Sequence, residues 1–329
     1  MPRSRLTVLR LAALCLLAPL LPLSSGLSVT HAGSGSVNVL YAGSLVSLNE
    51  TLLGPAFSSA TSYAYQGKSA GSLAIVNQIK GHIATPDVVE LADPAANRSL
   101  MGQANGNYVS WYFTFARSQL VIGFDARSRF AKAFRSVQHH KLAWYKALEQ
   151  KGMRIGRTDP NLDPKGYRAL FMAGLAQRVY HLKGLKHRVF GSNENPSQIF
   201  PEEVLVARML TGQVDAGVFY LSEVRDLGIP YISLPAKVNL GSQKYASLYR
   251  TQSFKTNKGV TVTGAPILYS VTIPKTVANA AGAQAFVRFI LSPRIRSLAS
   301  SHGLLPTRIT VGGSRQAVPH TLTQFIGKG

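Results

Sequence analysis

Two tetrapeptides of identical composition, Ala42-Gly43-Ser44-Leu45 and Ala70-Gly71-Ser72-Leu73, constrain this chain more than any other feature. Each follows a strand-like run and opens a pattern with helical periodicity. Their serines stand 28 residues apart, the length of one βα unit. Successive βα units imply a parallel pair of strands with the helices covering the sheet. Both turns then fall at the carboxyl ends of neighbouring strands, where open α/β sheets bind ligands. Each offers a glycine for close backbone approach, N–H groups at a helix start and a hydroxyl. One such turn is adequately explained as a turn plus a helix cap. Two aimed at one point make an anion site without any lysine.

The alternation continues along the chain. Strands are expected over 37–41, 62–65, 87–91, 108–115 and 119–124, with helices over 45–57 and 72–79. A second block, from about 125 to 265, carries helical patterns at 142–150, 167–180 and 202–210 and strands at 216–220 and 231–234. A strand at 267–273 and helices at 277–291 and 293–301 close the chain, Pro293 suiting a first helical position. The pattern predicts an α/β protein of two lobes, each a mostly parallel sheet flanked by helices. Residues 37–118 with 268–329 would form one lobe and 119–267 the other, with a cleft between them.

The start of the chain is built differently. Arg3, Arg5 and Arg10 precede an apolar run over 11–23 that ends in Ser24, Ser25 and Gly26, the layout of a secretory signal over residues 1–32. As a membrane span it is short, 13 residues with Pro19 and Pro22 inside, where about 20 are needed. Export to the periplasm or cell exterior is therefore expected. The single cysteine, Cys15, lies in this segment. The mature chain would have neither disulfide nor thiolate chemistry. There are 36 Lys and Arg against 14 Asp and Glu, a formal charge of +22 that becomes +19 without the three leader arginines. Such a surplus suits an anionic partner. A carboxylate-poor exported protein living in acid would show the same bias.

Several motifs compete for function. Gly67-Lys68-Ser69-Ala70-Gly71 matches the G-x-S-x-G elbow of serine hydrolases, with Ser69 as nucleophile. It comes too early in the chain, and no acid and histidine follow in a convincing order. His139 and His140 sit in a basic polar run that reads as a solvated face. Gly67-Lys68-Ser69 is no phosphate loop, because the glycine needed five residues earlier is Ser62. Lys244, Tyr245, Tyr249, Arg250, Phe254, Lys255 and Lys258 interleave charge and aromatics as single-strand nucleic-acid binders do. Those aromatics equally suit a packed edge strand, and export argues against nucleic acid. No catalysis and no cofactor are expected.

The runs Tyr41-Ala42-Gly43-Ser44-Leu45, Ala70-Gly71-Ser72, Trp111 through Gln119, and Asp159-Pro160-Asn161-Leu162-Asp163-Pro164-Lys165-Gly166-Tyr167-Arg168 resemble the molybdate/tungstate-binding proteins of ABC importers, closest to the archaeal-type branch. The likeness spans roughly 39–306. It implies a type II periplasmic-binding-protein fold, two lobes joined by a hinge and closing on one oxyanion, with a membrane permease as partner and a monomeric state. Ser44 and Ser72 match the family's two ligand serines. Asp163 matches a carboxylate that joins the metal's coordination shell in that branch. The second carboxylate of the branch falls on Phe219, which puts octahedral coordination in doubt. The pattern ending in Tyr220 instead resembles bacterial molybdate binders, whose tyrosine hydroxyl helps hold a tetrahedral anion. Lys165 replaces a family cysteine. Gly43, Gly71, Pro164 and Lys165 complete the candidate binding set, and sulfate or another tetrahedral oxyanion is the alternative ligand.

Overall fold

A computed structural model describes residues 35–327; the expected leader and Cys15 lie outside the described residues. The chain begins with β1 (Ser36–Ala42), β2 (Ala64–Ala70), β3 (Val88–Leu91) and β4 (Trp111–Arg117). It crosses into a second lobe with β5 (Leu120–Phe124), β6 (Ile155–Thr158), β7 (Ile199–Phe200), β8 (Ala216–Tyr220) and β9 (Tyr231–Ser233). A hairpin of β10 (Ser253–Lys255) and β11 (Thr261–Thr263) follows, and the chain returns through β12 (Leu268–Thr272) to β13 (Leu305–Gly313), its last strand among the described residues. The first sheet has the order β13-β4-β12-β3-β1-β2 and the second β7-β6-β8-β5-β9.

The expected βα units are present: β1 pairs in parallel with both β2 and β3. The sheets as wholes are mixed rather than mostly parallel. β12 runs antiparallel between β3 and β4, and β5 runs antiparallel to β8 and β9. The two crossings explain this, because one carries the chain out of the first lobe and the other brings it back in the opposite direction. They lie side by side, with Ser118 N–H donating to the Ile267 carbonyl at 3.1 Å. The central strands of the second sheet are covered on both faces and correspondingly apolar; every residue of β5 and β8 is buried.

Departures from the sequence pattern have local causes. The helix expected over 45–57 is broken: a wide turn, Asn49–Leu53, stands before the Gly54–Ala60 helix. Pro55 has no N–H for the preceding turn, and the ladder widens in front of it. β2 runs on to Ala70 although its second half is polar, because it is the edge strand of its sheet. Ser69 consequently lies inside a strand and not on an elbow. Tyr249, placed among the basic and aromatic residues of a nucleic-acid reading, is fully buried with its hydroxyl on the Ala236 carbonyl, and Phe254 is also buried. Neither ring is available for base stacking.

The first sheet contains a buried acid. Glu90 of β3 accepts from Asn49 Nδ2 at 2.7 Å and meets no cation among the described residues. Burial pushes its carboxyl up to about 7, the Asn49 hydrogen bond opposing. The unfolded carboxyl titrates in the ordinary range, so the folded chain holds the extra proton between the two values. This contribution to stability is present at acid pH and is lost as pH rises through 7, by about 3 kcal/mol in all. Glu90→Gln should abolish that loss, seen as a gain in denaturation free energy at pH 8 but not at pH 4.

Candidate functional site

The Gly71-Ser72 turn meets the second lobe at the loop that precedes its longest helix, Pro164–Val179, and the Gly43-Ser44 turn meets it at Glu202. Asp163 caps that helix, its Oδ1 accepting from Lys165 N at 2.6 Å and from Thr158 Oγ1 at 3.1 Å. Pro164 occupies the first turn, where its missing N–H costs nothing. The carbonyl of Leu162 faces the first lobe and accepts from the N–H groups of Leu73 and Ala74 at 3.1 and 3.2 Å. Part of the helix start expected to face an anion is therefore taken by the protein itself. The approach is close: a Cβ on Gly71 would lie 2.5 Å from the Leu162 oxygen, and one on Gly43 2.2 Å from Glu202 Oε2.

Three buried hydroxyls stand around this junction, each with a donor behind it. Ser72 Oγ accepts from Ala92 N at 3.0 Å. Ser44 Oγ accepts from the Tyr269 hydroxyl at 3.1 Å. The Tyr220 hydroxyl accepts from Arg168 Nη1 at 2.7 Å, and the same nitrogen donates to the Ala92 carbonyl at 2.7 Å. Arg168 also faces Asp93 Oδ2 at 3.4 Å, an oxygen that accepts from the Tyr167 hydroxyl as well. Burial works against the Arg168 charge, but Tyr220 and Asp93 hold it protonated. Burial likewise pushes the Tyr220 hydroxyl far up, against the pull of Arg168, so it remains a donor.

Beside the hydroxyls lies a buried charge cluster. Lys165 Nζ sits 2.5 Å from both Glu202 Oε1 and Glu223 Oε1, with no exposed surface of its own. Burial alone would discharge the ammonium; the two carboxylates, with Asp163 behind them, raise it above its ordinary range. Glu223 Oε2 accepts from Tyr220 N at 2.6 Å. Ser69, the nucleophile of the hydrolase reading, donates to Glu203 Oε1 at 2.5 Å and ties the lobes together. Among the described residues no group of three or more His, Cys, Asp or Glu could hold a metal ion. A groove of about 1280 Å³ on the second lobe, lined by Trp144, Pro230 and Tyr231 among others, shares no residue with this cluster.

The model of the bacterial extracellular solute-binding protein family matches residues 37–305. The chain belongs to that family. It is a solute-binding protein of ABC transport, with an extracytoplasmic place of work, and not an enzyme. It is 33% identical to a putative ABC transporter molybdenum-binding protein of Haloferax volcanii, over 72% of either chain. It is 27% identical to a molybdate/tungstate-binding protein of Pyrococcus abyssi, over 70% of this chain and 71% of that one. The periplasmic molybdate-binding protein of Azotobacter vinelandii superposes with a TM-score of 0.57 at 20% identity, over 82% of this chain and all of the other, a likeness of fold. No helix among the described residues is long and apolar enough to cross a membrane.

In this solute-binding protein Ser44, Ser72, Asp163 and Tyr220 converge on one junction, with Gly43, Gly71 and Pro164 in the turns that bring them there. Lys165 faces neither solvent nor an open space but two glutamates. Phe219 points to the other face of β8, into a core with Leu205 and Val121. The alternation of a strand dictates this, since its neighbour Tyr220 faces the junction. The residues missed from sequence are Arg168, Tyr269, Glu202 and Glu223. Arg168 lies inside a recognised run, five residues after Asp163, but nothing in its spacing says that its guanidinium turns back to Ala92.

Proposed function

We propose that this protein captures a fully deprotonated tetrahedral oxyanion, molybdate or tungstate, between its lobes and delivers it as a monomer to the permease of an ABC importer. The observation that carries this reading is the direction of the hydrogen bonds around the three hydroxyls. Ser44, Ser72 and Tyr220 each accept one bond from behind, which leaves each hydrogen to be donated forward. A convergent set of donors suits an anion whose oxygens carry no proton, and bonds to a charged acceptor are roughly twice as strong as neutral ones. Arg168 adds positive charge one bond behind Tyr220 without touching the anion. The names of the Haloferax and Pyrococcus relatives point to the same ligand class. Sulfate would meet the same donors, and a calorimetric comparison of the anions separates the two.

Asp163 is assigned to the wall of the site, with Oδ1 committed to its own helix cap and to Thr158, and no bond from it to the metal is required. The bound anion is then tetrahedral. X-ray absorption at the molybdenum edge of the complex should show four short metal–oxygen distances of one class. Six-coordinate metal with carboxylate oxygens in its shell would contradict the assignment.

A further inference from the structure

A second carboxylate besides Asp163 stands beside this set of donors. Glu202 opens the helix Glu202–Leu210, whose first turn reaches across to the first lobe. Its Oε1 is on Lys165 at 2.5 Å. Its Oε2 lies against Gly43, the residue before Ser44, close enough that a Cβ there would meet it at 2.2 Å. Among the described residues nothing donates to that oxygen. Glu223 differs, because both of its oxygens take donors, one from Lys165 and one from Tyr220 N.

We propose that Glu202 is a specificity-determining residue that meets the bound oxyanion as a neutral carboxylic acid, so that capture takes up one proton from solvent. The inference rests on the oxyanion reading above. The proton binds Oε2, no other bond is made or broken, and the acceptor beside Gly43 becomes a donor. The groups around Glu202 come from several elements, and all but Lys165 favour this. Among the described residues Lys165 on the Pro164–Val179 helix is its only cation, and it is shared with Glu223 of the Leu221–Asp226 helix. Asp163 adds negative charge from the cap, and Tyr269 of β12 lies within its field. Glu203, the next residue, is engaged by Ser69. Burial already pushes the Glu202 carboxyl well up, Lys165 opposing and the two neighbouring carboxylates adding to it. A dianion beside it can only raise it further. The complex therefore holds more protons than the empty protein. Affinity is greatest in acid and is lost as pH rises through the range in which the carboxyl of the empty protein has ionised.

The test is calorimetric titration with molybdate across about pH 5 to 9, in pairs of buffers with different ionisation enthalpies, on the unaltered protein and on Glu202→Gln and Glu202→Ala. Above that range the unaltered protein should lose affinity toward about tenfold per pH unit and take up about one proton per anion. Glu202→Gln keeps an N–H donor at the same place, so it should bind with a flat pH profile and more tightly than the unaltered protein at the alkaline end. Glu202→Ala, with no donor, should bind more weakly than Glu202→Gln at every pH. Binding without proton uptake, or a Gln variant that keeps the original pH profile, overturns the role of Glu202 and leaves the oxyanion reading standing. The buffer comparison on the unaltered protein decides the matter even if a variant does not fold. No binding of molybdate at any pH overturns both.

Discussion

Replacing Lys165 by methionine should lower stability at neutral pH by about 3–5 kcal/mol, the usual cost of breaking a buried ion pair by removing one partner. For a chain of this length that is a fall in Tm of about 5–8 °C. The methionine fills the space of the lysine stem, so the loss comes from Glu202 and Glu223, left facing each other without the ammonium 2.5 Å from each. Two carboxyls in that position are stable only when protonated. The folded pair then binds more protons than the unfolded one, and the loss should shrink as pH falls. Melting curves of the variant at pH 4 and pH 7 check this; equal losses at both values would mean that charge is not what the lysine supplies.

Gly71→Ala should separate closure from folding. The backbone at Gly71 has φ −59° and ψ 140°, which alanine adopts without strain. Neither lobe should lose stability when they stand apart. In the closed form, however, the new methyl would meet the Leu162 carbonyl oxygen at 2.5 Å, a backbone atom with no freedom to swing aside. Avoiding it breaks the bonds from Leu73 and Ala74 to that oxygen. Two hydrogen bonds at about 1–1.5 kcal/mol each correspond to a loss in anion affinity of about 30- to 150-fold. Calorimetric titration paired with thermal melting tests this. A variant that binds normally would show that the Leu162 contact is no part of the closed, ligand-holding form.

The sequence carried what depends on neighbours in the chain. The turns at Gly43-Ser44 and Gly71-Ser72 are legible because a glycine, a hydroxyl and a change of period coincide within four residues. The helix Glu202–Leu210 and strand β8 fall at the bounds their patterns give. The charge cluster was not legible, because Lys165 finds its partners 37 and 58 residues away. Neither glutamate stands in a pattern that separates it from an exposed helical residue. Tyr269 reaches Ser44 across 225 residues through the return strand β12. The reversed direction of β12 follows from the second crossing between lobes, which strand propensity does not encode. β6 escaped notice because Gly156 and Arg157 interrupt its apolar run, although Arg157 is fully buried with its Nη2 on the carbonyls of Ser192 and Asn193.

The most direct test of the account is a calorimetric comparison of molybdate, tungstate, sulfate and phosphate on the unaltered protein at mildly acid pH, repeated with Ser72→Ala. One anion per chain should bind, molybdate and tungstate more tightly than sulfate. Hydrogen phosphate should be rejected, because its proton would face donors, and Ser72→Ala should weaken molybdate, with a fall in Tm of a few degrees from the buried Ala92 N–H that loses its acceptor. Preference for phosphate, or molybdate binding indifferent to Ser72, would contradict a site made of hydroxyls that donate forward.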